Sequence, residues 1–76
     1  MSSFDEVQEI VKMLRSENLS EIATQVDDAL RGGSTGSEIW GGVRFYLLRT
    51  PLGMASSLLK GRIEALIKEI DKSLPR

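Results

Sequence analysis

Ile39-Trp40-Gly41-Gly42-Val43-Arg44-Phe45-Tyr46-Leu47-Leu48-Arg49 is the one stretch of this chain with no clean polar face, and it holds the only Trp, the only Tyr and one of the two Phe residues. Wound as a helix, it places Ile39, Val43, Tyr46 and Leu47 on one side, with Trp40 at the margin. Gly41, Phe45 and Leu48, at i, i+4 and i+7, make a second stripe on roughly the opposite side. A surface helix carries one apolar stripe, and a helix apolar nearly all round is enclosed by neighbours. The spacing therefore predicts a central apolar helix over 36–49 with other helices packed around it.

On its C-terminal side, Pro51 pushes the preceding residue out of helical geometry and ends this helix near Arg49 or Thr50. Proline is also favoured at the first position of a helix, with Thr50 as the cap. A long last helix is predicted over 51–73, about 35 Å at 1.5 Å per residue. Its main stripe is Leu52, Leu59, Ile63, Leu66, Ile70 and Leu74, with Ile67 beside it. Met54, Leu58, Gly61 and Ala65 form a second, smaller stripe. Lys60, Glu64 and Lys68 are spaced for i, i+4 pairs. If the helix begins only at Met54, Gly53 belongs to a turn.

On the N-terminal side lies Gly32-Gly33-Ser34-Thr35-Gly36-Ser37-Glu38. The paired glycines close a preceding helix by supplying a positive φ, and Thr35 with Glu38 fits a capping box for the next one. A helix over 20–31 follows from Ile22, Val26, Ala29 and Leu30 on one face and Thr24, Asp27, Asp28 and Arg31 on the other. A first helix over 3–16 has a Ser3–Glu6 capping box and a stripe of Val7, Ile10, Val11 and Leu14. Asn18 suits a left-handed closing residue, after which Leu19 folds back onto the helix.

These elements define an all-α fold, a small four-helix bundle with short connections, in one domain spanning 1–76. No run alternates β-branched residues in the manner of a strand. The expected core is Val7, Ile10, Leu14, Ile22, Val26, Leu30, Ile39, Val43, Leu47, Leu59, Ile63, Leu66 and Ile70. Each glycine inside a helix costs roughly 0.5–1 kcal/mol relative to alanine. Gly41-Gly42 and Gly61 therefore suggest close-packing seams, inside the bundle or between subunits.

Seventy-six residues are near the lower limit for a self-sufficient core. Such a chain is stabilised by tight helix packing or by association. It has no Cys and no His, so thiolate metal sites, disulfides and the commonest proton shuttle are absent. No charged segment leads into an apolar run at the N-terminus, and no run approaches the roughly 18 apolar residues of a membrane span. The expectation is a cytoplasmic protein without a membrane partner.

The net charge of −1 hides a split. Residues 1–38 hold eight acids and three bases, and residues 39–76 hold three acids and seven bases. One reading is that the halves complement each other, within one chain or across a dimer. The other is an acidic face, Glu17, Glu21, Asp27, Asp28 and Glu38, that steers a basic partner.

Motifs with chemistry are scarce. The Gly33–Gly36 link at a helix N-terminus has amides able to hold an anion. It lacks the lysine and the preceding strand of a P-loop, however, and reads as a capped turn. Ser56 and Lys60 are the only Ser–Lys arrangement at helical spacing, and they read as a surface pair. No catalytic residue, cofactor or metal ligand is indicated.

The expectation is a non-enzymatic protein-binding module, such as a stoichiometric inhibitor, an immunity or antitoxin-like protein, or an accessory subunit. Self-association as a homodimer is expected through Phe45, Leu48, Met54, Leu58 and Gly61. Trp40 or Tyr46, if exposed, would anchor the partner. The alternative is a dimeric helix-turn-helix DNA-binding protein using Arg44 and Arg49, with Lys60 and Arg62 beside them. Its link looks long, at about five residues, and its recognition helix is poor in cations.

Overall fold

A computed structural model describes residues 3–73 of the chain. Four α-helices follow in order: α1 (Ser3–Ser16), α2 (Ser20–Gly32), α3 (Gly36–Leu48) and α4 (Ser57–Ser73), with a single 3₁₀ turn at Leu52–Met54. There is no strand among the described residues. The principal contacts join α1 with α2 and α4, and α3 with the same two helices. The result is the four-helix bundle expected from the sequence, arranged as a ring with α1 and α3 across from each other.

The core is built from one face of each helix. Val7, Ile10, Val11 and Leu14 come from α1, Ala23, Val26 and Leu30 from α2, Val43 and Leu47 from α3, and Leu59, Ile63, Leu66 and Ile70 from α4; Leu19 joins them from the α1–α2 link. Removing these side chains from water is the main favourable term in folding. Ile22 and Ile39, expected in the core, are only partly buried at its edge. In α2 the inward face is centred on Ala23, Val26 and Leu30, so Ile22 lies at its margin.

The α1–α2 link shows how local sequence sets this geometry. Asn18 adopts φ 63°, a left-handed conformation that asparagine tolerates better than most residues. The Leu19 amide then donates to the Leu14 carbonyl at 2.8 Å, and the Asn18 amide donates to the Arg15 carbonyl at 3.3 Å. These are the two bonds of a Schellman closure. Leu19 and Leu14 are both buried, supplying the apolar contact that accompanies the motif.

The glycines at the end of α2 act differently from the expectation. None of the described glycines has a positive φ. Gly33 is extended, with φ −77° and ψ 145°, and is required for space. A Cβ there would lie 2.5 Å from Ile39 Cγ1 and 2.8 Å from the Ile39 amide nitrogen. The Thr35 hydroxyl accepts from the Glu38 amide at 3.2 Å, as the capping box predicts. The Glu38 carboxylate returns to the Ser34 amide at 3.0 Å instead of the Thr35 amide. The link between α2 and α3 is three residues, 33–35, shorter than the five read from the sequence. The reciprocal cap at Ser3 lies outside the described side chains.

The last helix starts later than the predicted 51–73. Pro51 opens a 3₁₀ turn, with the Met54 amide donating to the Pro51 carbonyl at 2.9 Å. Thr50, expected to cap the next helix, instead closes α3; it is buried, and its hydroxyl donates to the Tyr46 carbonyl at 3.3 Å. The cap of α4 is Ser56, whose hydroxyl oxygen accepts from the Leu59 amide at 3.2 Å. The Glu17 carboxylate accepts from both the Ser56 amide (2.6 Å) and the Ser56 hydroxyl (2.8 Å). One carboxylate thus ties the end of α1 to the start of α4. Glu17→Ala is expected to lower stability by about 1 kcal/mol, since it removes both bonds and loosens the cap. Urea denaturation followed by far-UV circular dichroism measures this.

Candidate recognition surface

The reading of α3 as an enclosed helix does not hold. Its inner side is buried at Val43 and Leu47, whereas Phe45 and Leu48 are 52% and 55% exposed. A helix with two neighbours covers only part of its circumference, and the Gly41–Phe45–Leu48 stripe is the part left outside. Met54 and Leu58 are more exposed still, at 67% and 65%. Gly61 and Ala65 are exposed on α4 as well. All of the residues expected to mediate self-association are therefore on the surface, Phe45 and Leu48 on α3, Met54 in the 3₁₀ turn and Leu58 and Gly61 on α4.

The glycine seams resolve in the same way. A Cβ at Gly41 or Gly61 would meet nothing within 4 Å, so neither marks a close approach inside the bundle. Gly42 does, because a Cβ there would lie 3.2 Å from the Ala29 Cβ of α2. Alanine at Gly61 is expected to stabilise the isolated chain by roughly 0.5–1 kcal/mol, since helix propensity then acts without a steric cost. Thermal denaturation measures the gain.

Between α3 and α4 runs an open groove of about 360 Å³, lined by Leu47, Leu48, Ile63, Glu64, Ile67 and Lys68. Its floor is aliphatic, and charge enters only at the α4 rim. Lys60, Glu64 and Lys68 are exposed along that rim, one helical turn apart. The sequence suggested ion pairs among them, but none is within 4.0 Å among the described residues. Arg44 is held by Asp71 at the other end of the groove. Arg49 lies over the Phe45 ring, 5.2 Å from its centroid. Phe45 also meets Tyr46 edge-on at 5.1 Å.

Trp40 and Tyr46, the expected anchors, are partly buried and packed against the core. Phe45 and Leu48 take the exposed position instead. The acidic residues are dispersed in their roles. Glu17 holds Ser56, Glu38 holds the Ser34 amide, and Asp27 pairs with Arg31 at 3.1 Å. Glu21 and Asp28 remain exposed on α2, and neither has an ion pair among the described residues. A second hollow, between α1 and α2, is lined by Gln8, Val11, Lys12, Arg15, Asp27 and Arg31. Its ion pairs are exposed ones, Lys12 with Glu9 and Arg31 with Asp27.

Among the described residues, no group of three or more acidic side chains is placed to hold a metal ion, and no helix is long and apolar enough to cross a membrane. The chain matches no family model, and neither a curated protein nor a solved structure is significantly similar to it.

Proposed function

We propose that the chain is a non-enzymatic protein-binding module whose recognition surface is the outer face of α3, the 3₁₀ turn and the first turns of α4. The observation that carries this is the exposure of four large apolar side chains, Phe45, Leu48, Met54 and Leu58, each more than half exposed. Together they present roughly 400 Å² of apolar side chain, the scale of the largest and often functional patches on monomeric proteins. A second copy of the chain, as expected from the sequence, and a separate inhibited or assisted protein both belong to this class. The acidic residues contribute less to it, because Glu17, Asp27 and Glu38 are engaged within the chain. DNA binding is not favoured: Arg44 is held by Asp71 and Arg49 lies on Phe45, leaving the outer face of α3 apolar.

The test is a quantitative pull-down from the source cells with tagged wild-type chain and with Phe45→Glu combined with Leu48→Glu. Both sites are exposed, so the circular dichroism of the variant should match wild type. The expected outcome is a stoichiometric protein, the untagged chain included, retained by wild type and lost by the variant. Equal recovery by both baits overturns the reading.

A further inference from the structure

We propose that the hollow between α1 and α2 binds a compact, doubly charged oxyanion, either inorganic phosphate or a small phosphate monoester. The site is separate from the apolar residues of α3 and α4, and it stands or falls independently of the protein-binding reading. Gln8, Val11, Lys12, Arg15, Asp27 and Arg31 line a volume of about 320 Å³. Three bases against one acid give that lining a net of two positive charges. Residues 1–38 hold only three bases beside eight acids, and the fold brings all three bases to this one hollow. Lys12 and Arg15 share a face of α1, and the packing of α2 on α1 adds Arg31.

The donors of this hollow are under-used. Arg15 has no ion pair among the described residues, and its Nη1 donates to the Thr24 hydroxyl at a long 3.4 Å. Arg31 donates to both Asp27 carboxylate oxygens through Nε, at 3.1 Å each, so that pair leaves its terminal amino groups unused. Lys12 pairs with Glu9 at 3.5 Å with its side chain 75% exposed, and such a pair contributes little. Guanidinium groups offer paired N–H donors that match phosphate oxygens, and lysine adds a point charge. Gln8 brings a neutral amide donor. The surroundings set the size of the ligand. The same two helices expose Glu9, Glu21 and Asp28, which repel an extended polyanion such as DNA or an anionic membrane. The hollow is at the lower end of the roughly 300–1,000 Å³ of small-molecule sites, which suits one phosphate group with little attached. Asp27 is the one lining charge that opposes an anion, so its removal and that of Arg15 have opposite expected effects.

The experiment titrates the isotope-labelled full chain with inorganic phosphate and with glycerol 3-phosphate, and follows the backbone amides by NMR. At about pH 7.5 both ligands are mostly dianionic, and sodium chloride at matched ionic strength is the control. The shifts should saturate, stay within residues 8–15 and 24–31, and give a dissociation constant on the order of 1 mM, as expected from a few exposed charged contacts. Arg15→Gln should weaken binding about fourfold, and Asp27→Asn should tighten it by about the same factor. Circular dichroism checks that both variants keep the wild-type fold. Tighter binding of glycerol 3-phosphate assigns the hollow to a phosphate monoester, and equal or weaker binding assigns it to free phosphate; either supports the proposal. Shifts that do not saturate, that scatter over the chain or that chloride reproduces overturn it. So does an Asp27→Asn variant that binds no tighter than wild type, or an Arg15→Gln variant that binds as well. None of these results bears on the pull-down that tests the protein-binding reading.

Discussion

Ile63→Ala is expected to lower stability by about 3 kcal/mol, the typical cost of truncating a large aliphatic side chain in a packed core. Ile63 is fully buried, and α4 meets both α1 and α3. The cavity therefore opens where two helix pairs meet and little can collapse into it. A chain of this length has roughly 4–11 kcal/mol to lose, at 0.05–0.15 kcal/mol per residue. The melting temperature should fall by about 15 °C, given a shift of several degrees per kcal/mol in domains of this size. Thermal and urea denaturation followed by far-UV circular dichroism read both quantities. Leu58→Ala, on the same helix but 65% exposed, is the control and should change stability by less than about 0.5 kcal/mol. Equal losses at the two positions would mean that α4 presents a different face to the core.

Gly33→Ala should cost about 2 kcal/mol, in the range of overpacking a fitted site. The backbone at Gly33 is extended, so alanine's own conformational preference is satisfied there and the cost is steric. The contact at 2.5 Å is with the Ile39 side chain, which can shift. The contacts at 2.8 and 3.0 Å are with the Ile39 backbone in the first turn of α3, which cannot move without disturbing the Thr35 cap. Gly41→Ala makes the opposite prediction. Its Cβ would enter open space in the middle of α3, so the substitution should stabilise the chain by roughly 0.5–1 kcal/mol. Opposite signs in parallel denaturation experiments separate a glycine held for space from one that packing does not require. A stabilising Gly33→Ala would refute the close approach of the α2–α3 link to Ile39.

The parts of this fold legible in the sequence are those set by contacts within a few residues. The left-handed Asn18, the return of Leu19 and the hydroxyl cap at Thr35 each need only neighbours in sequence, and residue type specifies them. The stripes of α1 and α4 were legible for a related reason, since a 3.6-residue period places Val7, Ile10 and Leu14, or Leu59, Ile63 and Ile70, on one side of any helix. The late start of α4 was harder to see. Pro51 is as acceptable at the start of a long helix as at the start of a 3₁₀ turn, and the choice was settled by a carboxylate 39 residues from Ser56.

The proposed recognition surface was legible only in part. Phe45, Leu48, Met54 and Leu58 stand out as apolar residues left over once each helix has one buried face. Among the acids of the N-terminal half, Glu38 is announced by its capping box, but Glu17 carries no local sign of its partner Ser56. Glu17 looks like Glu21 in the sequence, yet only Glu17 is engaged by a distant backbone amide in the fold.

By itself the sequence determined that this chain is all-helical, where its helices lie except for the start of α4, and most of the aliphatic side chains that leave water. Those follow from periodicity, caps and composition, all properties of a chain segment in isolation. Tertiary structure alone decided how many neighbours α3 has, and so whether its second stripe is core or surface. It also decided that Gly42 abuts Ala29 while adjacent Gly41 faces open space. The physical reason is the same in both cases. A helix repeats its faces regularly whatever surrounds it, and only the placement of the other helices determines which of those faces is covered.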